Sequence, residues 1–191
     1  QELRKEMRAE RYDITPTGLY FPRPGVAVNG EYFGRVNGGG WEKEGDNLVP
    51  TEGMAHILNV ALGSTAKPAG YSLAICAGGA TPAGDWTAAN YPALASEITS
   101  LTEGHTGATR PQWTPTNTAS NVIDNLAAAP TLTMATAGTL TVTGAALLSS
   151  SQRGGTGGVL VSAALFGLPR TFQNGDTYQL NYRLTSSASL A

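Results

Sequence analysis

Few side chains in this 191-residue chain are suited to acid–base, nucleophilic or metal chemistry. There are two histidines, His56 and His105, and one cysteine, Cys76. Neither histidine has another His or Cys at the spacing of a zinc-ligand set, so no metal site is expected. Cys76 falls in the apolar run Tyr71-Ser-Leu-Ala-Ile-Cys76-Ala, which predicts a buried, inert thiol. The carboxylates after residue 46 are Glu52, Asp85, Glu97, Glu103, Asp124 and Asp176. They are scattered, with no spacing that argues for a paired general acid and base. A serine nucleophile of the elbow type needs Gly-x-Ser-x-Gly, and the chain has none. Gly154-Gly-Thr-Gly-Gly158 lacks the Lys-Ser/Thr that completes a phosphate loop and reads as a mobile tip between strands. No catalytic residue and no cofactor is expected, and the chain reads as non-enzymatic.

Recognition chemistry is better represented. Trp86 and Trp113 lie in Thr- and Pro-rich surroundings, where exposed rings could stack on a sugar or seal the end of a domain or an interface. Arg110-Pro-Gln-Trp113 places together two residue types that dominate binding hot spots. The whole stretch 78–130 shows little regular pattern. So long a stretch is uncommon inside a free domain and would be natural if its loops met neighbouring subunits.

The elements that must position these residues divide by charge. Residues 1–46 carry 7 of the 12 basic and 8 of the 14 acidic side chains, and the rest is mostly Ala, Thr, Gly, Ser, Leu and Val. This division predicts an N-terminal arm, 1–46, and a body, 47–191. A net charge of −2 and no basic stripe in the body argue against nucleic-acid binding. No apolar run approaches the roughly 18 residues of a membrane span, and no signal-peptide pattern is present. In the arm, residues 2–11 are strong helix formers, but too short to be stable alone in water. They read as a helix that firms on contact or as a solvated tail. Prolines at 16, 22 and 24 favour extended backbone around Leu19, Tyr20 and Phe21. Those three side chains need cover, from the body's own core or from a neighbour. Asn29-Gly30 between β-forming runs predicts a two-residue hairpin turn that carries Tyr32 and Phe33. Gly38-Gly-Gly40 reads as a flexible joint. Tyr12, Leu19, Tyr20, Phe21, Tyr32, Phe33, Trp86, Arg110 and Trp113 are the expected interface residues.

In the body, the segment 50–63 predicts one short helix, capped by Thr51 and ended by Gly63. Met54, Ile57, Leu58, Ala61 and Leu62 form its expected core stripe. Strands are expected over 71–77, 94–101 (or helix there), 131–136, 139–148, 159–166 and 177–185. Alternation is clean in Tyr178-Gln-Leu-Asn-Tyr-Arg-Leu184, one face apolar and the other polar. The expected fold class is mainly β: an antiparallel β-sandwich with one short helix, preceded by an extended N-terminal arm.

Over roughly residues 47–187 the order of motifs resembles a group of small structural proteins of short-tailed bacteriophage virions. The residues carrying the likeness are Asn47-Leu-Val-Pro-Thr-Glu-Gly53, Ile57-Leu-x-Val60, the 71–77 strand, Tyr91-Pro and Glu97-Ile-Thr. Arg110-Pro-Gln-Trp113, Gly144-Ala-Ala-Leu-Leu-Ser149, Phe166 and Asn174-Gly-Asp176 complete it. The resemblance implies a non-enzymatic β-sandwich, located in the virion and built in as a homo-oligomer. Its expected partners are copies of itself and other virion proteins, with no nucleic acid and no membrane. The resemblance does not choose between tail and capsid; the flexible joint read at Gly38–Gly40 suits tethering across unlike symmetries, so the expected place is the tail or head–tail connection, reached through the arm. The rivals are a capsid decoration protein and a carbohydrate-binding module that contacts a host-surface glycan through Trp86 and Trp113.

Overall fold

Alternating apolar and polar side chains after residue 24 dictate extended strands, and these build the architecture. The computed structural model describes residues 12–14, 20–22 and 25–189, with side chains from 27 to 187. In chain order the first strands are β1 (Tyr12–Ile14), β2 (Tyr20–Pro22), β3 (Gly25–Val36) and β4 (Glu42–Asp46), followed by helix α1 (Thr51–Ala61). β5 (Tyr71–Cys76), the single-turn helix α2 (Tyr91–Leu94), β6 (Gly104–His105), β7 (Gln112–Trp113) and β8 (Val122–Asp124) come next. The chain closes with β9 (Thr131–Ala135), β10 (Leu140–Leu148), β11 (Leu160–Phe172) and β12 (Thr177–Ser189).

Two antiparallel sheets pack against each other, so the mainly β expectation holds. One runs β11-β10-β5-β7; the other runs β4-β3-β12-β9-β6, with β8 also paired to β12. β1 and β2 form a separate two-stranded pair. Side chains of period two fill the space between the sheets: Tyr178, Leu180 and Tyr182 from β12 meet Leu73, Ile75, Ala145 and Leu147 from the smaller sheet. Each large apolar side chain buried there contributes on the order of 1.5–3 kcal/mol. The smaller sheet is buried on its other face too. Ala74, Cys76, Ala146, Leu148, Leu160 and Ala163 are covered by Trp86, Ala88, Tyr91 and Ala95. This is why β5 reads as an unbroken apolar run rather than an alternating one. The segment after β4 closes the side of the sandwich, since Leu48 and Ala163 exchange backbone hydrogen bonds of 2.8 and 3.0 Å.

Several expectations need correction. Asn29-Gly30 is not a turn: β3 continues straight through it, with Asn29 opposite Thr185 and Gly30 opposite Leu184 in β12. Gly30 serves close approach instead, because a Cβ there would lie 2.5 Å from the Tyr182 hydroxyl and 2.7 Å from the Asn47 amide. The hairpin turn falls eight residues later. Asn37 and Gly38 have φ of 49° and 71°, and Gly39 N–H donates to Val36 C=O at 2.9 Å, the geometry of a type I′ turn. The glycines expected as a joint are thus a hairpin loop between β3 and β4. The arm boundary at residue 46 moves accordingly, since β3 and β4 are integral strands of the larger sheet. The helix expected over 2–11 lies outside the described residues. Residues 94–101 form no strand; α2 ends there, and Glu97 makes a single bridge to Cys76.

Helix α1 is rotated from its expected stripe: Ile57 packs against the core, but Met54, Leu58, Ala61 and Leu62 are exposed. Gly53 and His56 are its buried residues, and a Cβ on Gly53 would sit 2.3 Å from the Val161 carbonyl oxygen. The helix backbone therefore lies directly on β11, and the smallest residue selects the buried face. Gly53, His56, Ile57 and Val60 follow the i, i+3, i+4, i+7 spacing of a buried stripe. Pro50, not Thr51, occupies the cap position, with no side-chain cap.

Candidate functional site

The buried charged groups of the body are used to fasten loops. Arg110 grips Glu97 with two prongs, Nε to Oε1 at 2.8 Å and Nη2 to Oε2 at 2.6 Å. Its remaining hydrogen bonds go to the Ser150 and Gly155 carbonyls at 3.1 and 3.2 Å. Both side chains are almost wholly removed from water, so either alone would be an uncompensated buried charge. Arg153 donates to four carbonyls, those of Ile98, Ser100, His105 and Gly107, at 2.6–3.2 Å. Together these two arginines tie residues 150–155 to the loops 97–110. The root of the glycine-rich segment is thus anchored, whereas the sequence suggested a free tip.

Other ionisable groups follow the same rule. Glu52, in the first turn of α1, accepts from the backbone N–H groups of Ala88 at 2.8 Å and Leu160 at 2.7 Å. Glu44 accepts from Arg170 Nε at 2.8 Å and from the Tyr178 hydroxyl at 2.9 Å. Burial, with the Glu44 charge beside it, holds the Tyr178 pKa well above the ordinary phenol value. The two histidines are interior. His56 Nε2 lies 2.9 Å from the Tyr71 hydroxyl. Burial, reinforced by the Arg153 charge, pushes His105 down to about 4, so its ring is neutral near pH 7. Cys76 is buried, as expected, and desolvation raises its thiol to about 11; such a thiol is a poor nucleophile. Among the described residues no cluster of three His, Cys, Asp or Glu side chains is arranged to hold a metal ion.

The expected interface residues separate into four groups. Tyr32, Trp86, Arg110 and Trp113 are buried inside the chain, which removes them as surface anchors. Tyr32 donates to or accepts from Ser162 Oγ at 2.7 Å, Trp113 Nε1 donates to the Tyr182 carbonyl at 3.0 Å, and Trp86 packs beside Tyr91. Neither tryptophan presents a face for stacking on a sugar. Phe33 is half-buried, with the Arg183 guanidinium 5.0 Å from its ring centre, a cation–π contact within the chain. Tyr12, Tyr20 and Phe21 are described for their backbone alone, Tyr12 opposite Pro22 and Phe21 opposite Asp13 in the β1–β2 pair. Leu19 lies outside the described residues.

A surface that sequence reasoning missed is the outer face of α1. Met54, Leu58 and Leu62 repeat every four residues and are 38%, 55% and 85% exposed. Exposed apolar patches of this kind mark interaction sites more often than isolated exposed leucines do. The glycine at position 53 was the available signal, since it allows the opposite face to approach β11. A second apolar projection is Leu168 on β11, in the excursion between Leu165, opposite Gly144, and Arg170, opposite Val142. A groove of about 400 Å³ is lined in part by the polar residues Ser72, Thr109, Gln112, Ser149 and Ser151.

No protein-family model matches the chain, and no curated protein matches it.

Proposed function

We propose that this chain is a non-enzymatic structural subunit of a bacteriophage virion, attached at the periphery of the particle through its N-terminal segment and by association with further copies of itself. The observation that carries the reading is the contrast between spent and unspent chemistry. The buried charged side chains described above are occupied in holding loops and strands, while large aliphatic side chains stand exposed on α1 and at Leu168. That distribution favours a protein that works by contact. The mainly β sandwich and the order of motifs over residues 47–187 agree with it.

Two details of the reading change. The preference for a tail position rested on Gly38–Gly40 as a flexible tether, and those residues form a hairpin loop in the larger sheet. The proposal therefore covers both the tail region and the capsid surface. The glycan-binding alternative loses its residues, because Trp86 and Trp113 are interior. The test is biochemical. Particles purified from the virus that encodes the chain should carry it at a fixed stoichiometry, and Leu19→Asp with Phe21→Asp should release it while the isolated protein keeps its melting temperature. Absence from washed particles overturns the proposal, as does incorporation unchanged by that double substitution.

A further inference from the structure

Helix α1 follows β4 at the end of the sandwich from which β3 overhangs its partner. β4 runs antiparallel to β3 and ends with Asp46 opposite Glu31; Asn47 N–H then donates to Gly30 C=O at 3.0 Å, and α1 begins at Thr51. β3 extends past this point. Residues 25–29 lie beyond the last β4 partner and pair with Thr185 to Ser189 of β12, an overhang of roughly 17 Å at about 3.3 Å per residue. The body of the molecule is therefore entered at Gly25, opposite Ser189 at the far end of this overhang.

We infer that the exposed face of α1 is the receptor for residues 1–11 of a neighbouring copy of this chain. This rests on the self-association proposed above and supplies its contact. The receptor face offers Met54, Leu58 and Leu62 at four-residue spacing, and from Met54 to Ala66 the sequence holds no Asp, Glu, Lys or Arg. The occupant carries Leu3 and Met7, also four apart, in a stretch of strong helix formers whose charged side chains lie between them. An uncharged receptor gives those charges no partner, so they remain at the rim in water while the two apolar side chains are covered. Two helices presenting rows four residues apart interdigitate in the commonest packing class. The leader joins the body at Gly25, at the tip of the overhang, and the self-association proposed above makes a neighbouring copy the receptor. Donor and receptor are different surfaces, so the contact closes as a reciprocal exchange between two copies or as a ring, and otherwise continues as a filament.

The full-length protein should associate in sedimentation velocity over a concentration series. Leu62→Asp, Leu58→Asp and Met7→Asp should each weaken association about tenfold or more, with the monomer's far-ultraviolet spectrum and melting temperature unchanged. Mixed under oxidising conditions, chains bearing Met7→Cys and chains bearing Leu62→Cys should form the mixed disulfide; buried Cys76 does not compete. Three results overturn the inference: a wild-type chain monomeric at every concentration, Leu62→Cys chains that cross-link only to each other, or a chain with both cysteines that closes on itself. Its failure is separable from that of the functional proposal. A particle-bound chain without the cross-link defeats this inference alone, and cross-linked rings of a chain absent from particles defeat the particle assignment alone.

Discussion

Two regions lie against the four-stranded sheet and treat their side chains in opposite ways. The loop-rich stretch from Gly78 to Pro111 turns its largest residues inward: Trp86, Tyr91 and Arg110 are all buried, while the smaller Leu94 and Leu101 stay exposed. Helix α1 turns its smallest residue inward, at Gly53, and leaves Met54, Leu58 and Leu62 outside. By residue type alone the assignments would be reversed, with Arg and Trp as binding anchors and an aliphatic stripe as core. The difference is one of backbone distance. Where a helix rests directly on a strand, only small residues fit between them. Where a loop covers the sheet, large rings such as Trp86 and Tyr91 fill the space over it, and the Arg110 guanidinium ties loop to loop.

The strongest test of this contrast is Arg110→Ala. It leaves the Glu97 carboxylate buried without its partner and unties the Ser150 and Gly155 carbonyls. The expected loss is about 3–5 kcal/mol, read from chemical denaturation. Arg110→Met combined with Glu97→Leu should recover much of that loss, since two buried charges leave together. If Arg110→Ala costs no more than a surface change, the arginine is not a fastening. Trp86→Ala should come next, at about 3–5 kcal/mol, by emptying the space over Ala74, Ala146 and Leu148. A melting temperature unchanged by Trp86→Ala would mean that the loop does not cover the sheet.

A smaller effect separates the loops by pH. The folded-state pKa of His105 lies at about 4, below the ordinary value near 6.5. The unfolded chain therefore binds the proton more readily, and stability rises with pH through that window. The contribution is complete above about pH 6.5 and is lost as pH falls toward 4. Melting temperatures of His105→Gln and the parent protein between pH 7 and 4 should show a flatter decline for the variant. Parallel curves would mean that His105 takes up its proton in the folded state as easily as in the unfolded chain.

Much of the fold was readable because period two is a strong signal. The alternation through Tyr178, Leu180 and Tyr182 places three residues in the core, and the apolar run at 71–76 forms a strand buried on both faces. The misreadings came where one local motif had two structural uses. Asn-Gly occurs at 29–30, 37–38 and 174–175; Gly38 and Gly175 have the positive φ of a turn, and the first pair is held straight by a long partner strand. Nothing local distinguishes them, because the deciding contacts, Tyr182 and Asn47 against Gly30, are distant in sequence. Arg110 and Trp113 were misassigned for a similar reason. Their partners, Glu97 and the Tyr182 carbonyl, convert residues of binding type into internal struts. The outer face of α1 was missed because a helical stripe of aliphatics usually reports a core.

The smallest expected effect bears on that face most directly. Leu58 is more than half exposed, four residues from Met54 and from Leu62. Replacing it by Ser removes little contact within the monomer, so dilute monomer stability should change by no more than about 0.5 kcal/mol in either direction. Helix propensity works slightly against Ser, and relief of exposed apolar surface favours solubility. A core leucine at the same position would cost about 2–5 kcal/mol on truncation to Ala, several times more than a surface change. Denaturant titration at low protein concentration distinguishes these values readily. A loss in the core range would show that Leu58 is covered within its own chain, and the contrast between the loops and the helix would then disappear.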